Sequence, residues 1–225
     1  MATTTVYPDP SVESTSVDGI AGKDGATSSW TDLRGAVGDV GTDNGASLQV
    51  FAIATTTTDV WSRLYRNAVL FDTSGIDDGD TVSAATLSIY PTAKDASTIT
   101  VTLNVSASNP DVNTVIDADD YTTSKWGSVK FATGVTVADI STGAYHVFTL
   151  NASGIAAVDV TGISKFGIRY EEDIDGNTGP AWASGGEPAV TFSSADTANT
   201  TQDPKLVVTH AVASATFVPT MQIIM

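Results

Sequence analysis

The chain of 225 residues has no cysteine. That excludes disulfides, thiolate metal sites and cysteine nucleophiles together. Positive charge is nearly as scarce: ten Lys and Arg face 26 Asp and Glu, a net charge of −16. No basic stripe exists to displace counterions from a phosphate backbone, so nucleic acid is excluded as a partner. The same sign disfavours an anionic membrane surface. Only two histidines occur, His146 and His210. Neither has an HExxH spacing or a Gly-x-Ser-x-Gly turn beside it, and no catalytic residue is assigned. No run approaches the roughly 18 apolar residues of a membrane span, so membrane insertion is not expected. The opening MATTTVYPDP has no basic segment followed by an apolar one, so it does not read as a secretory signal.

Even the acidity lacks a component. Glutamate appears only at Glu13, Glu171, Glu172 and Glu187; the rest is aspartate. Aspartate competes for backbone hydrogen bonds and favours turns and caps over helix interiors. What is abundant is Thr, Ser, Val, Ala and Gly, the composition of pleated strands joined by tight turns.

Alternation is the dominant period. In ASLQVFAIATTTT, Leu48, Val50 and Ala52 share one face; in TVSAATLSIYP, Ala85, Leu87 and Ile89 do; in STITVTLNVSAS, Ile99, Val101, Leu103 and Val105 do. VWSRLYRNAVLFDTS, KFGIRYEE, PAVTFSS and PKLVVTHAV also read as strands, as do residues 129–140 and 145–150. Residues 119–126 read as one helical turn capped by Asp119 or Asp120, and NASGIAAVDVTG as a short helix capped by Asn151 or Ser153. About ten strands with at most two short helices predict an all-β fold, a jelly-roll β-sandwich of two antiparallel sheets with extended terminal arms. Residues 1–45 read as an N-terminal arm or covering loop, 46–212 as the sandwich, and 213–225 as an apolar tail.

From Arg63 onward the order of features is familiar. Arg66, Phe71 with Asp72, Gly79, Ala85 with Leu87, then DYTTSKWG, FGIRY ending near Arg169, VTFSSAD, and Pro204 leading into KLVVTH resemble the jelly-roll domains called DNRLRE-type, found in bacterial and archaeal surface proteins. The resemblance covers about residues 45–212 and implies a fold rather than a chemistry. Arg63, Arg66 and Arg169, lying on strands amid excess carboxylate, are expected to form structural ion pairs.

Two features carry candidate chemistry. EEDIDGN places Asp173, Asp175 and Asn177 at alternate positions with Gly176 for the turn, hard oxygen ligands of the kind Ca²⁺ takes, although such turns are more often simply solvated. Trp182, in the loop GNTGPAWASGGEP, is the candidate for stacking on a sugar ring. The last segment, TFVPTMQIIM, would leave apolar area in water at about 25 cal/mol per Å². Phe217, Val218, Met221, Ile223, Ile224 and Met225 are therefore assigned to subunit contact. The expectation is a non-enzymatic virion structural protein, decorating a capsid, tail or fibre. Its partners would be other virion proteins, copies of itself and host surface glycans. The alternative is a carbohydrate-binding or adhesive module at the cell surface.

Overall fold

The computed structural model describes residues 1–96, 98–176 and 179–212. They form an all-β, jelly-roll-like sandwich in which every strand pairing is antiparallel. In chain order the strands are β1 (Ala2–Val6), β2 (Asp18–Lys23), β3 (Val40–Thr42), β4 (Ser47–Ala54), β5 (Trp61–Asp72), β6 (Asp80–Ile89) and β7 (Pro91–Asp95). They continue with β8 (Thr102–Ala107), β9 (Val135–Thr136), β10 (His146–Thr149), β11 (Ile163–Tyr170), β12 (Ala189–Ser193) and β13 (Lys205–Val212). Short helices α1 (Trp30–Gly35), α2 (Ala152–Ala156) and α3 (Glu171–Ile174) lie between them.

The smaller sheet has the order β1-β13-β6-β10. The larger runs β7-β12-β4-β5-β11-β8-β9, with β2 and β3 branching from β5. β5 is the fork: Leu64 and Tyr65 sit between β4 and β2, while Asn67, Ala68 and Val69 sit between β2 and β11. A strand of 12 residues can serve three neighbours because each needs only half its length. One apolar core lies between the sheets, with Leu87, Phe148, Leu206 and Val208 from the smaller sheet and Val50, Phe71, Phe166, Ile168 and Phe192 from the larger. Fully burying one such side chain contributes about 1.5–3 kcal/mol, so these nine alone are a large share of the driving force.

The alternating runs fold as their periods predict. Leu48, Val50 and Ala52 are buried on β4, and Ala85, Leu87 and Ile89 on β6. β5 departs from alternation: residues 66–71 are all buried, because Phe71 on one face lies in the apolar core while Arg66 on the other is covered by Tyr121 and Asp173.

The N-terminal region differs from the expected arm. β1 is the edge strand of the smaller sheet, Ala2 opposite His210, and β2 pairs along β5 from Lys23 to Asp18. Residues 1–45 belong to the sandwich. Glycine makes this possible: a Cβ on Gly22 would stand 2.3 Å from the Tyr65 ring, and one on Gly19 would be 2.7 Å from the Thr42 carbonyl oxygen. Composition that looks like loop is here a strand packed too tightly for side chains.

Residues 129–140 also differ: only β9 and a 3₁₀ turn at Val137–Asp139 are regular. Residues 119–126 form two 3₁₀ turns rather than one helical turn, and Asp117, not Asp119 or Asp120, is the cap, in a reciprocal box with Asp120. Asn151 caps α2, its side chain accepting from the Ser153 and Gly154 amides. A third helix, α3, occupies residues read as the end of a strand.

Candidate functional site

The most concentrated chemistry is buried beneath the fork. α3 follows β11 directly and turns the Asp173 carboxylate inward, where it is 1% exposed. Its Oδ1 accepts from Arg34 Nε at 2.9 Å and Arg66 Nη2 at 2.7 Å; its Oδ2 accepts from Arg66 Nε at 2.8 Å and Arg169 Nη1 at 3.1 Å. Arg34 comes from α1, whose N-cap Ser29 accepts from the Asp32 amide at 3.2 Å. Arg66 comes from β5 and Arg169 from β11.

The other guanidinium donors go to backbone carbonyls, Arg34 Nη2 to Asp173 at 2.7 Å, Arg34 Nη1 to Gly176 at 3.3 Å, Arg66 Nη2 to Arg34 at 3.1 Å, Arg66 Nη1 to Tyr121 and Arg169 Nη2 to Gly127, except that Arg169 Nε donates to the Ser106 hydroxyl at 3.2 Å. Arg66 lies 4.2 Å from the centroid of the Tyr121 ring and Arg169 5.3 Å from that of Trp126. Burial pushes the Asp173 carboxyl up, but Arg66 and Arg169 outweigh it and hold it well below the usual carboxylate range. Burial, offset in part by Asp173 and reinforced by Arg66, lowers Arg169 to about 10.

The expected pairing of Arg66 and Arg169 with carboxylate is thus present, and Arg63 pairs with Asp24 through two contacts of 2.8 and 2.5 Å. Sequence reasoning missed Arg34 and Tyr121. Arg34 is the fourth of four arginines in a chain where the other three already suggested ion pairs, and that was the available signal. Arg66 is wholly buried and Arg169 and Asp173 nearly so, and their bonds lock α1, β5, β11 and α3 together.

The calcium reading of Asp173 and Asp175 does not survive this geometry. Both Asp173 oxygens face guanidinium groups, an environment that repels a cation. Asp175 instead accepts from Lys130 Nζ at 2.9 Å, which also donates to Glu171 at 2.9 Å. Asn177 lies outside the described residues. Among the described residues no group of three or more His, Asp or Glu side chains is placed to hold a metal ion.

A second cluster is uncompensated. Asp18 is 1% exposed and accepts from the Ala195 amide at 3.0 Å, and Asp203 is 3% exposed. Asp203 Oδ1 and Asp196 Oδ2 are buried and have no hydrogen-bond partner among the described residues. Asp196 and Asp203 line a shallow depression of about 250 Å³ with Pro8 and Pro10. Burial, with Asp196 and Asp203 nearby and despite the Ala195 amide, pushes Asp18 well up; burial and Asp196 push Asp203 up to about 6.

His210 links three strands. Its Nδ1 meets Asp80 at the start of β6, and its Nε2 meets Thr4 Oγ1 on β1 at 2.9 Å. Hydroxyl, imidazole and carboxylate in series is the order of an acyl-transfer triad. Here, however, the hydroxyl is a secondary alcohol on a flat edge strand rather than on a strained strand-to-helix elbow. The arrangement reads as a tie across β1, β13 and β6. His146 lies on β10 with its ring edge-on to Phe148, and burial lowers its pKa.

Trp182 is half-buried against the core, and its Nε1 is enclosed without a partner among the described residues. The assigned contact residues Phe217, Val218, Met221, Ile223, Ile224 and Met225 lie outside the described residues. A surface groove of about 520 Å³ lies between α2 and the first residues of β6. No described helix is long and apolar enough to cross a membrane. Against known proteins, the chain matches no family model and no curated protein.

Proposed function

We propose that this chain is a non-enzymatic virion structural protein, a capsid-decoration, tail or fibre component. It presents an acidic β-sandwich outward and contacts neighbouring subunits through its termini. The observation that carries this reading is the pairing of β1 with β13. Ala2 opposite His210 brings both ends of the described chain to one side of the smaller sheet, where Met1 and Val212 are largely exposed. The uncharged, apolar residues 213–225 follow directly from that strand. On a molecule of net charge −16, such a segment is where contact costs least in desolvated charge.

The buried arginine cluster supports a structural rather than catalytic role, since its guanidinium groups and carboxylate are engaged with one another. The resemblance of residues 45–212 to DNRLRE-type domains, found in bacterial and archaeal surface proteins, favours the cell-surface alternative instead. The carbohydrate-binding alternative draws less support, because much of the Trp182 ring is committed to the core.

Fractionating the source culture tests the proposal. The chain should band with virus-like particles in a density gradient and be absent from washed cell envelopes. Recovery in the envelope fraction, with none in particles, would overturn it.

A further inference from the structure

We infer that the groove between α2 and β6 is a strand-acceptor slot, and that its occupant is the apolar segment 213–225 of a second copy of this chain. The inference rests on the assembly reading above and names the surface that assembly would use.

The slot is built by a mismatch in strand lengths. β13 covers β6 along its whole length on one side, from Ser88 to Asp80. On the other side, β10 pairs only from Ile89 to Thr86, and the Leu150 amide then donates to the Ala85 carbonyl. From Asp80 to Ala84 no described strand lies on that side of β6. An unpaired edge is a template for another strand, and proteins usually blunt one with charge or cover it.

This edge is flanked by apolar groups. Val82, Ala152, Ile155, Ala156, Val158 and Val160 line the groove. Its one charged lining residue, Asp80, is held by His210 through Oδ2. A strand added here gains main-chain hydrogen bonds from β6 and places alternate side chains against α2 and residues 158–160.

The occupant follows from what the chain offers. Residues 213–225 carry no charge and include Phe217, Val218, Met221, Ile223, Ile224 and Met225. They follow Val212, which lies opposite Asp80, at the rim of the groove but on the β13 side of β6. To enter its own slot the segment would have to reverse direction and cross β6 at its junction with β5. A segment arriving from a neighbour needs neither.

The test uses full-length protein throughout. Sedimentation velocity over a concentration series should show self-association. Ile155→Glu, which puts a charge in the slot, should weaken it at least tenfold, as should the double substitution Ile223→Ser with Ile224→Ser. Val160→Glu serves as a second slot variant outside the helix, and unchanged circular dichroism and melting certify that each variant is folded. Mixing Ile155→Glu, whose tail is intact, with the Ile223/Ile224 variant, whose slot is intact, should restore a one-to-one complex.

Association unaffected by both slot variants but lost in the tail variant would overturn the slot and leave tail-mediated assembly standing. Association unaffected by the tail variant would overturn both the slot and the role of the tail. A full-length chain that stays monomeric at every concentration would overturn exchange between copies.

Discussion

Replacing Asp173 with asparagine should be the most damaging single-atom change in this protein. The substitution keeps the size and removes the charge. One carboxylate takes four hydrogen bonds from three guanidiniums, and two of those, on Arg66 and Arg169, are almost wholly buried. Removing one partner of a buried ion pair typically costs about 3–5 kcal/mol, because the other charge is left without water or counter-ion. Here three cations lose the same partner, and an amide NH₂ would face donors. The expected loss is about 5 kcal/mol, against a total stability on the order of 5–15 kcal/mol for a domain. Urea unfolding at neutral pH, followed by tryptophan fluorescence, measures it. Trp126 stacks beside Arg169, and the Trp30 indole donates to the Glu172 carbonyl at 3.4 Å, so the probes sit at the site. At a slope of about 2 kcal/mol per M, the midpoint should fall by about 2–3 M. Asp24→Asn is the control: its pair with Arg63 is about one-third exposed and should cost no more than about 1 kcal/mol. Adding Arg169→Met to Asp173→Asn should recover part of the loss by removing one orphaned cation. A loss under about 1 kcal/mol, or equal effects of Asp173→Asn and Asp24→Asn, would refute the reasoning.

Stability should pass through a maximum on the acid side of neutrality, measured as thermal or urea unfolding across pH. Asp203 is raised in the fold, so the native state holds its proton longer, and its contribution is lost as pH climbs from about 4 through about 6. Asp173 and Asp9 run the other way. Against the opposing effect of burial, Asp173 is lowered by its arginines, and Asp9 is lowered to about 2 by the Ser14 hydroxyl and the Thr15, Ser14 and Ser16 amides. Their contributions are present above about 4 and vanish as pH falls below it. Asp203→Asn should therefore gain on the order of 1 kcal/mol at pH 7 after screening, and flatten the upper limb; a loss there would contradict the uncompensated cluster. Gly167→Ala should cost about 1–3 kcal/mol by the same unfolding assay, since its Cβ would stand 2.7 Å from a Trp126 ring already pinned by a 2.7 Å bond to the Asp120 carbonyl; a neutral result would mean that the indole moves freely.

Alternation was readable wherever a strand has one wet face. β4 and β6 announced themselves through Leu48, Val50, Ala52 and Ala85, Leu87, Ile89 because solvent on the other face admits Thr, Ser and Gln. β2 was not readable. Its sequence DGIAGK has no large alternating set, since it lies against Tyr65 and Ile116 at distances that only glycine tolerates. The site was half legible. Ion pairing of Arg66 and Arg169 followed from cations on strands in an acidic chain. Their common partner did not, because Asp173 and Arg34 are 139 positions apart and EEDIDGN looks on its face like an exposed turn. A carboxylate every second residue suggests a cation from water; the same residues on a helical turn point one carboxylate inward and leave the next to Lys130.

The arginine cluster also sets a timetable. Arg34 and Arg66 are made early, whereas the carboxylate that pairs with Arg66 among the described residues arrives at position 173 of 225. Before α3 exists, packing β2 and β4 onto β5 would bury the Arg66 guanidinium without its carboxylate, which disfavours that packing although the three strands are already available. A partial sandwich that lacks α3 is therefore disfavoured by its own buried cation, a penalty that lifts once about three-quarters of the chain has been made.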